Sequence, residues 1–319
     1  MAVRQRVLLT GATGHVGGRL LSHLSSQDAL QMRALVRSSR ALPEWTKNTE
    51  VLCGNLEDRQ IRQDALRDVN CVVHLATRGF SSAIAPTEGE LAKEEELTLN
   101  LAADSLGAGV SRLIYISSIH AYGQALVGRV DDLTPTAPNT PYGRSRQRIE
   151  QGILRLASSS EAQVIVIRLT NSFGVPAIPR NETWNLLMHD LCRQVVQSRS
   201  MELRSDGRIS RDIMALRDVV DVLYQVITTT ADLQGVCLLA SGHTMQLTEI
   251  AQSVQRHAEE VLGVAADISV PTHESVQPAS FSLHPAKLLN AGIVVPQNRD
   301  EEIRDLLRYA QREFGGTNS

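Results

Sequence analysis

Residues Thr10-Gly11-Ala12-Thr13-Gly14-His15-Val16-Gly17 separate an apolar run, Arg6-Val7-Leu8-Leu9, from an amphipathic pattern carried by Val16, Leu20, Leu21 and Leu24. A strand-length apolar run, a glycine-rich turn and a helical repeat together predict a β-turn-α unit near the start of the chain. Gly11 permits a tight turn, Gly14 lets the backbone approach a pyrophosphate, and Gly17 allows the helix to pack closely. The N–H groups that open the helix then face an anion. The spacing is Gly-x-x-Gly-x-x-Gly, and alone it also suits an ordinary strand-to-helix turn. Its position after the first strand of an α/β chain points to a nucleotide cofactor.

Outward from this turn, short apolar runs at residues 6–9, 32–36, 50–53, 71–76, 112–116 and 164–169 alternate with helical patterns such as 57–67 and 91–106. Repeated β-α units demand parallel strands with helices on both faces. The expected fold is therefore α/β: a doubly wound, Rossmann-type parallel sheet of about seven strands, the last of them at 236–240. After Leu169 the texture changes. A loop over 171–180, a helix near 184–197, a turn-rich piece at 204–211 and a helix at 216–229 lead to that last strand. A helix at 248–262, a short strand at 267–270 and a helix at 300–314 follow it. The reading assigns 1–170, with a returning segment at about 213–242, to the NAD(P)-binding domain. Residues 171–212 and 243–314 form a smaller, discontinuous α+β substrate lobe, and 315–319 a tail. The loop 123–141, with three prolines, is expected to lack a regular element and to serve function.

The chain has 319 residues and a formal net charge of −3, with no basic tract, which argues against nucleic-acid binding by charge. Cys53, Cys71, Cys192 and Cys237 lack metal-ligand spacing and read as reduced thiols. The absence of a leader pattern or a membrane-length apolar stretch gives the expectation of a soluble cytoplasmic protein without a membrane partner.

The second strand ends at Arg37, where an acidic residue would hold a ribose 2′-hydroxyl. Arginine there suits a 2′-phosphate, so NADP(H) is preferred and NAD(H) is the alternative. His15 and Arg40 could add positive character to the same corner. Asn55 and Leu56, and then Leu75, Ala76 and Thr77, end the third and fourth strands and suit adenine and ribose contacts, whereas His74 reads as a packed core residue. The fifth strand ends Ser117-Ser118, followed by His120, Tyr122 and Gly123. Tyr142 and Arg146 then sit one turn apart on the next helix. A tyrosine acts as a base near neutral pH only if a nearby positive charge stabilises its phenolate, and a serine could bind the substrate oxygen.

These residues together resemble the extended short-chain dehydrogenase/reductases, the NAD(P)-dependent epimerase/dehydratase family. The resemblance also rests on Gly54-Asn55-Leu56, His74-Leu75-Ala76, the segment from Arg168 to Gly174 with Pro176, Arg211-Asp212-Ile213 leading to Asp218-Val219, and Lys287 to Pro296. It implies hydride transfer on a nucleotide-activated sugar, with Tyr142 as acid/base, Ser118 as hydroxyl-binding residue and Arg146 beside the phenolate. It further implies cofactor contacts from Tyr142, Arg146 and Leu169, and substrate contacts from Ser118, His120, Tyr142, Asn171 and Arg211. Arg180, Arg204, Arg208 and Arg211 are the candidates for a substrate diphosphate. A homodimer through the Tyr142 helix and the 91–106 helix is also implied. Three departures stand out: arginine replaces the family lysine at 146, Asn55 replaces an acid, and Glu94-Glu95 falls where the family carries asparagine. The alternatives are an NADPH-dependent reductase of a non-sugar ketone or aldehyde, and a catalytically impaired cofactor-binding homologue.

Overall fold

A computed structural model describes residues 4–38, 42–77, 86–271 and 279–317. The strands are β1 Gln5–Thr10, β2 Leu30–Val36, β3 Glu50–Cys53, β4 Cys71–His74, β5 Arg112–Ser118, β6 Gly128–Asp131, β7 Gln163–Leu169, β8 Asn171–Phe173, β9 Ser200–Glu202, β10 Ser210–Ala215, β11 Gly235–Leu239, β12 Thr244–Gln246, β13 Asp267–Ser269 and β14 Phe281–His284. The helices are α1 His15–Leu24, α2 Arg59–Leu66, α3 Glu88–Gly107, α4 Pro141–Ala157, α5 Leu187–Ser198, α6 Leu216–Thr228, α7 Leu247–Leu262, α8 Ala286–Asn290 and α9 Arg299–Phe314.

Seven strands form one parallel sheet in the order β11-β7-β5-β4-β1-β2-β3, the doubly wound arrangement expected from the alternating pattern. Strand periodicity divides the core. Val7 and Leu9 pack with Leu20 and Leu24 of α1 and Leu223 of α6, while Leu8 points to the other face, among Leu66, Leu101 and Ile149 of α2, α3 and α4. The strand order reverses at β1: the chain runs outward through β2 and β3 on one side and then crosses back to β4 on the other. A crevice therefore opens beyond the carboxyl ends of these strands.

A second core, with Phe173, Trp184, Leu191, Ile213, Val254 and Leu306, joins β8 and β10 to α5, α7 and α9. Glu302, fully buried on α9, ties this lobe to the sheet domain. It accepts from Val175 N at 3.1 Å, from Arg217 Nε at 2.6 Å and from Arg19 of α1 at 3.4 Å.

Several expectations for the later chain need correction. The 123–141 loop contains β6, which pairs in parallel with β14, and the supposed loop after Leu169 begins with β8, paired to β10. These strands are too short, and their partners too distant in sequence, for local periodicity to reveal them. The expected 184–197 helix divides into a 3-10 turn, Asn181–Asn185, and α5; the turn-rich 204–211 piece runs into β10; and the tail opens with a 3-10 turn, Gly315–Thr317. Cys71, Cys192 and Cys237 are buried free thiols, whereas Cys53 is exposed. Among the described residues no helix is long and apolar enough to cross a membrane.

Candidate active site

The glycine turn builds a cradle by close approach. Gly11 has a φ of +73°, and a Cβ there would stand 2.6 Å from Ala76 N; a Cβ on Gly17 would stand 2.1 Å from Gly11 O. Side chains at these positions would fill the space that lets β1, β4 and α1 meet. Gly14 begins α1 without a side-chain cap, so the first helical N–H groups are left to an anion. The turn opens on a cleft of about 530 Å³. That volume and its polar rim fit a dinucleotide.

Gly11, Thr13, Gly14, His15, Arg37, Asn55, Leu56, Leu75, Ala76 and Thr77, all named as cofactor candidates, line this cleft. Val16, Gly17, Leu169, Tyr142 and Arg146, the other cofactor candidates, are not among the residues that line it. Val16 and Leu169 pack in or against the core, and Gly17 supports the turn from behind. His74 is a core residue as expected: its ring bonds Thr10 Oγ1 at 2.6 Å and Thr98 Oγ1 at 3.1 Å. Burial lowers its pKa to about 3.

His15 contributes no positive charge to the corner. Burial, followed by the charges of His189, Arg19 and Arg180, lowers its pKa to about 3, and it packs edge-to-face on His189 at 5.1 Å. Arg40 lies outside the described residues. Arg37 is exposed on the cleft wall. Arg180 was a candidate for a substrate diphosphate, but its guanidinium donates to Thr13 O at 3.0 Å on the cofactor side. Arg204 and Arg208 stand 3.7 and 3.9 Å from Asp190 and Asp206, whereas Arg211 makes no ion pair among the described residues.

The second group converges at the end of β5. Ser118 ends the strand, opposite Leu169 of β7, and its Oγ accepts from His120 N at 3.3 Å. Thr140 caps α4, with Pro141 in the first turn, which puts Tyr142 at the start of the helix beside His120, their ring centroids 5.8 Å apart. Burial, and then the charge of Arg211, lowers the His120 pKa. Asn171 donates to Asp212 O at 3.2 Å, next to Arg211.

Arg146 follows Tyr142 by one turn and is only 1 % exposed. Its guanidinium carbon lies 4.7 Å from the Tyr142 ring centroid, Nη1 donates to the Tyr115 hydroxyl at 2.8 Å, and Nη2 pairs with Glu94. Burial disfavours its charge, but Tyr115, Tyr142 and Glu94 outweigh that, so its pKa is raised above the ordinary arginine value. In the sequence Glu94 stood out only as a departure from the family asparagine, not as the partner of Arg146, and Tyr115 had no role. A signal for Glu94 existed: Leu91, Glu94, Thr98 and Leu101 share the buried face of α3, so a charge interrupts that face at helical spacing. Tyr115 carried none, because an interior strand tyrosine is common.

The profile of the NAD dependent epimerase/dehydratase family matches residues 7–237. The chain belongs to that family. It is thus an enzyme of the NAD-dependent, oxidoreductase type, as the resemblance implied. UDP-glucose 4-epimerase of Vibrio cholerae is 27% identical over 259 residues, 78% of this chain and 74% of that protein. Among solved structures, UDP-N-acetylglucosamine 4-epimerase from Methanobrevibacter ruminantium M1 is similar with a TM-score of 0.82 at 17% identity, covering 97% of this chain and 99% of that one. MoeE5 in complex with UDP-glucose and NAD has a TM-score of 0.78 at 21% identity, covering 97% and 99%. These two likenesses establish the family's fold across the whole chain.

Proposed function

We propose that the protein transforms a nucleotide-activated sugar by hydride transfer, as an epimerase, dehydratase or reductase, with Tyr142 as its acid/base. The observation that carries this reading is the Arg146 guanidinium carbon 4.7 Å from the Tyr142 ring centroid, with that ring against His120, whose backbone N–H donates to Ser118 Oγ at the end of β5. The names of the curated and structural relatives, which concern UDP-sugars, support the substrate class.

When bound, the dinucleotide supplies the hydride acceptor or donor. The glycine turn, Asn55, Leu56 and the segment from Leu75 to Thr77 hold it. Tyr142 Oη takes a proton from the substrate hydroxyl or returns it to the carbonyl, while Ser118 Oγ orients that oxygen. Arg146 keeps a fixed positive charge against the ring that becomes anionic. His120, Asn171 and Arg211 bind the sugar nucleotide, with Arg211 on the diphosphate. Arg37 reads a 2′-phosphate, so NADP(H) binds more tightly than NAD(H). Two copies associate along α3 and α4 in the cytoplasm, where the thiols stay reduced.

Two measurements test the reading. Fluorescence titration with NADPH and NADH should show binding of both and a preference for NADPH that R37A removes. Incubation with UDP-, dTDP- and GDP-sugars should yield an epimer or a dehydrated or reduced product. Y142F should lower turnover ~10²- to 10⁴-fold with cofactor binding retained. Undiminished turnover in Y142F overturns the role of Tyr142, and no dinucleotide binding at millimolar concentration overturns the whole reading.

A further inference from the structure

Arg146 is a large cation with almost no exposure, held by three partners from three elements: Glu94 on α3, Tyr115 on β5 and Tyr142 on its own helix. A planar guanidinium suits that arrangement. Its rigid fork spends one nitrogen on a carboxylate and another on a hydroxyl with the guanidinium carbon held 4.7 Å from a ring centroid, whereas an ammonium is a compact point charge without that fixed geometry. A buried cation of this kind also needs a neutralising partner. Glu94 is the carboxylate that supplies it, from a helix face otherwise occupied by Leu91, Thr98 and Leu101. The same face lines the cofactor cleft through Glu90, Glu94, Leu97 and Thr98. Behind Tyr115, His74 stacks at 5.9 Å and is fixed by Thr10 and Thr98, which closes the cluster on the remaining side.

We propose that Glu94 is a positioning residue for proton transfer: its ion pair holds Arg146 over the Tyr142 ring and sets how much positive charge that ring feels. This rests on Tyr142 being the proton-transfer residue. Among the described residues, the groups around Tyr142 include Arg146 on α4, His120 on the turn after β5 and Tyr115 on β5, with Glu94 of α3 paired to Arg146. His120 is disfavoured as a cation by burial, whereas Arg146 brings a positive charge to the ring and Glu94 a negative one behind it. Removing the carboxylate charge while keeping its shape leaves Arg146 less compensated and favours the Tyr142 phenolate. Removing the guanidinium does the opposite.

The test needs neither substrate nor cofactor. Tyrosinate formation is followed by ultraviolet difference absorbance or by the ring-carbon resonances of labelled tyrosine in the full-length protein, and the signal lost in Y142F is assigned to Tyr142. In E94Q that signal should titrate roughly one pH unit lower than in the unmutated protein, and in R146M it should titrate higher. An unmoved Tyr142 titration in E94Q, with only its melting temperature changed, reduces Glu94 to a structural ion pair and overturns the proposal. If E94Q does not fold, E94D supplies the measurement: a shortened acid that leaves the Tyr142 titration unmoved overturns the proposal equally. A sugar screen that finds no product leaves these titrations unaffected, so failure of the substrate reading and failure of this one are separable.

Discussion

The Arg180 guanidinium donates to the Thr13 carbonyl at 3.0 Å, across the cleft between the second lobe and the glycine turn. The contact sets a cation from one lobe beside the uncapped start of α1 in the other, where a pyrophosphate is expected. R180A should weaken dinucleotide binding ~5- to 20-fold, the size of one charge-assisted phosphate contact, with the melting temperature nearly unchanged. Parallel fluorescence and thermal titrations of the variant check this; equal affinity would assign Arg180 to holding the turn alone.

Gly17 and Gly107 form a contrasting pair. A methyl group on Gly17 would meet Gly11 O at 2.1 Å, whereas one on Gly107 at the end of α3 meets nothing within 4 Å. G17A should cost ~1–3 kcal/mol in chemical denaturation and abolish cofactor binding. G107A should be neutral or stabilising by up to about 1 kcal/mol. Equal stability of the two variants would refute the cradle geometry.

The pH dependence of stability follows from histidines buried in the neutral form. The His74 pKa is lowered from 6.5 to about 3, mainly by burial, so the unfolded chain takes up a proton that the folded one refuses. Its contribution is intact above pH 6.5 and declines as pH falls toward 3. At pH 5 that loss is about 2 kcal/mol relative to pH 7. Urea denaturation at the two pH values should show a smaller difference in H74Q than in the unmutated protein; identical differences would contradict it.

Asp132 fastens the proline-rich loop to the sheet. It is 7 % exposed and accepts from Leu238 N at 2.6 Å and from Lys287 N at 2.9 Å. D132A leaves both donors without their acceptor and should destabilise the fold by ~3 kcal/mol. It should also speed amide exchange across β6 and β14, which the same loop brings together. Hydrogen exchange confined to other regions would show that the loop is held by something else.

The sequence by itself determined the sheet domain. Alternating apolar runs and helical repeats encode these strands and helices locally, and the glycine spacing marks the turn where strand meets helix, so the seven parallel strands and the glycine turn that opens on the cleft were legible in the sequence. Tyr142 and Arg146 were legible as a pair because helical spacing fixes which residues share a face. Tertiary structure alone decided the rest. Strands β6, β8 and β14 exist through partners far away in sequence. Glu94 meets Arg146 only because α3 packs on α4. Arg180 left the substrate side for Thr13 because the second lobe folds back over the glycine turn, and His15 loses its charge because His189 and the surrounding lobe bury it. Local pattern encodes backbone hydrogen bonding and amphipathicity, whereas the pairing and protonation of charged side chains depend on which surfaces come together and how much water they exclude.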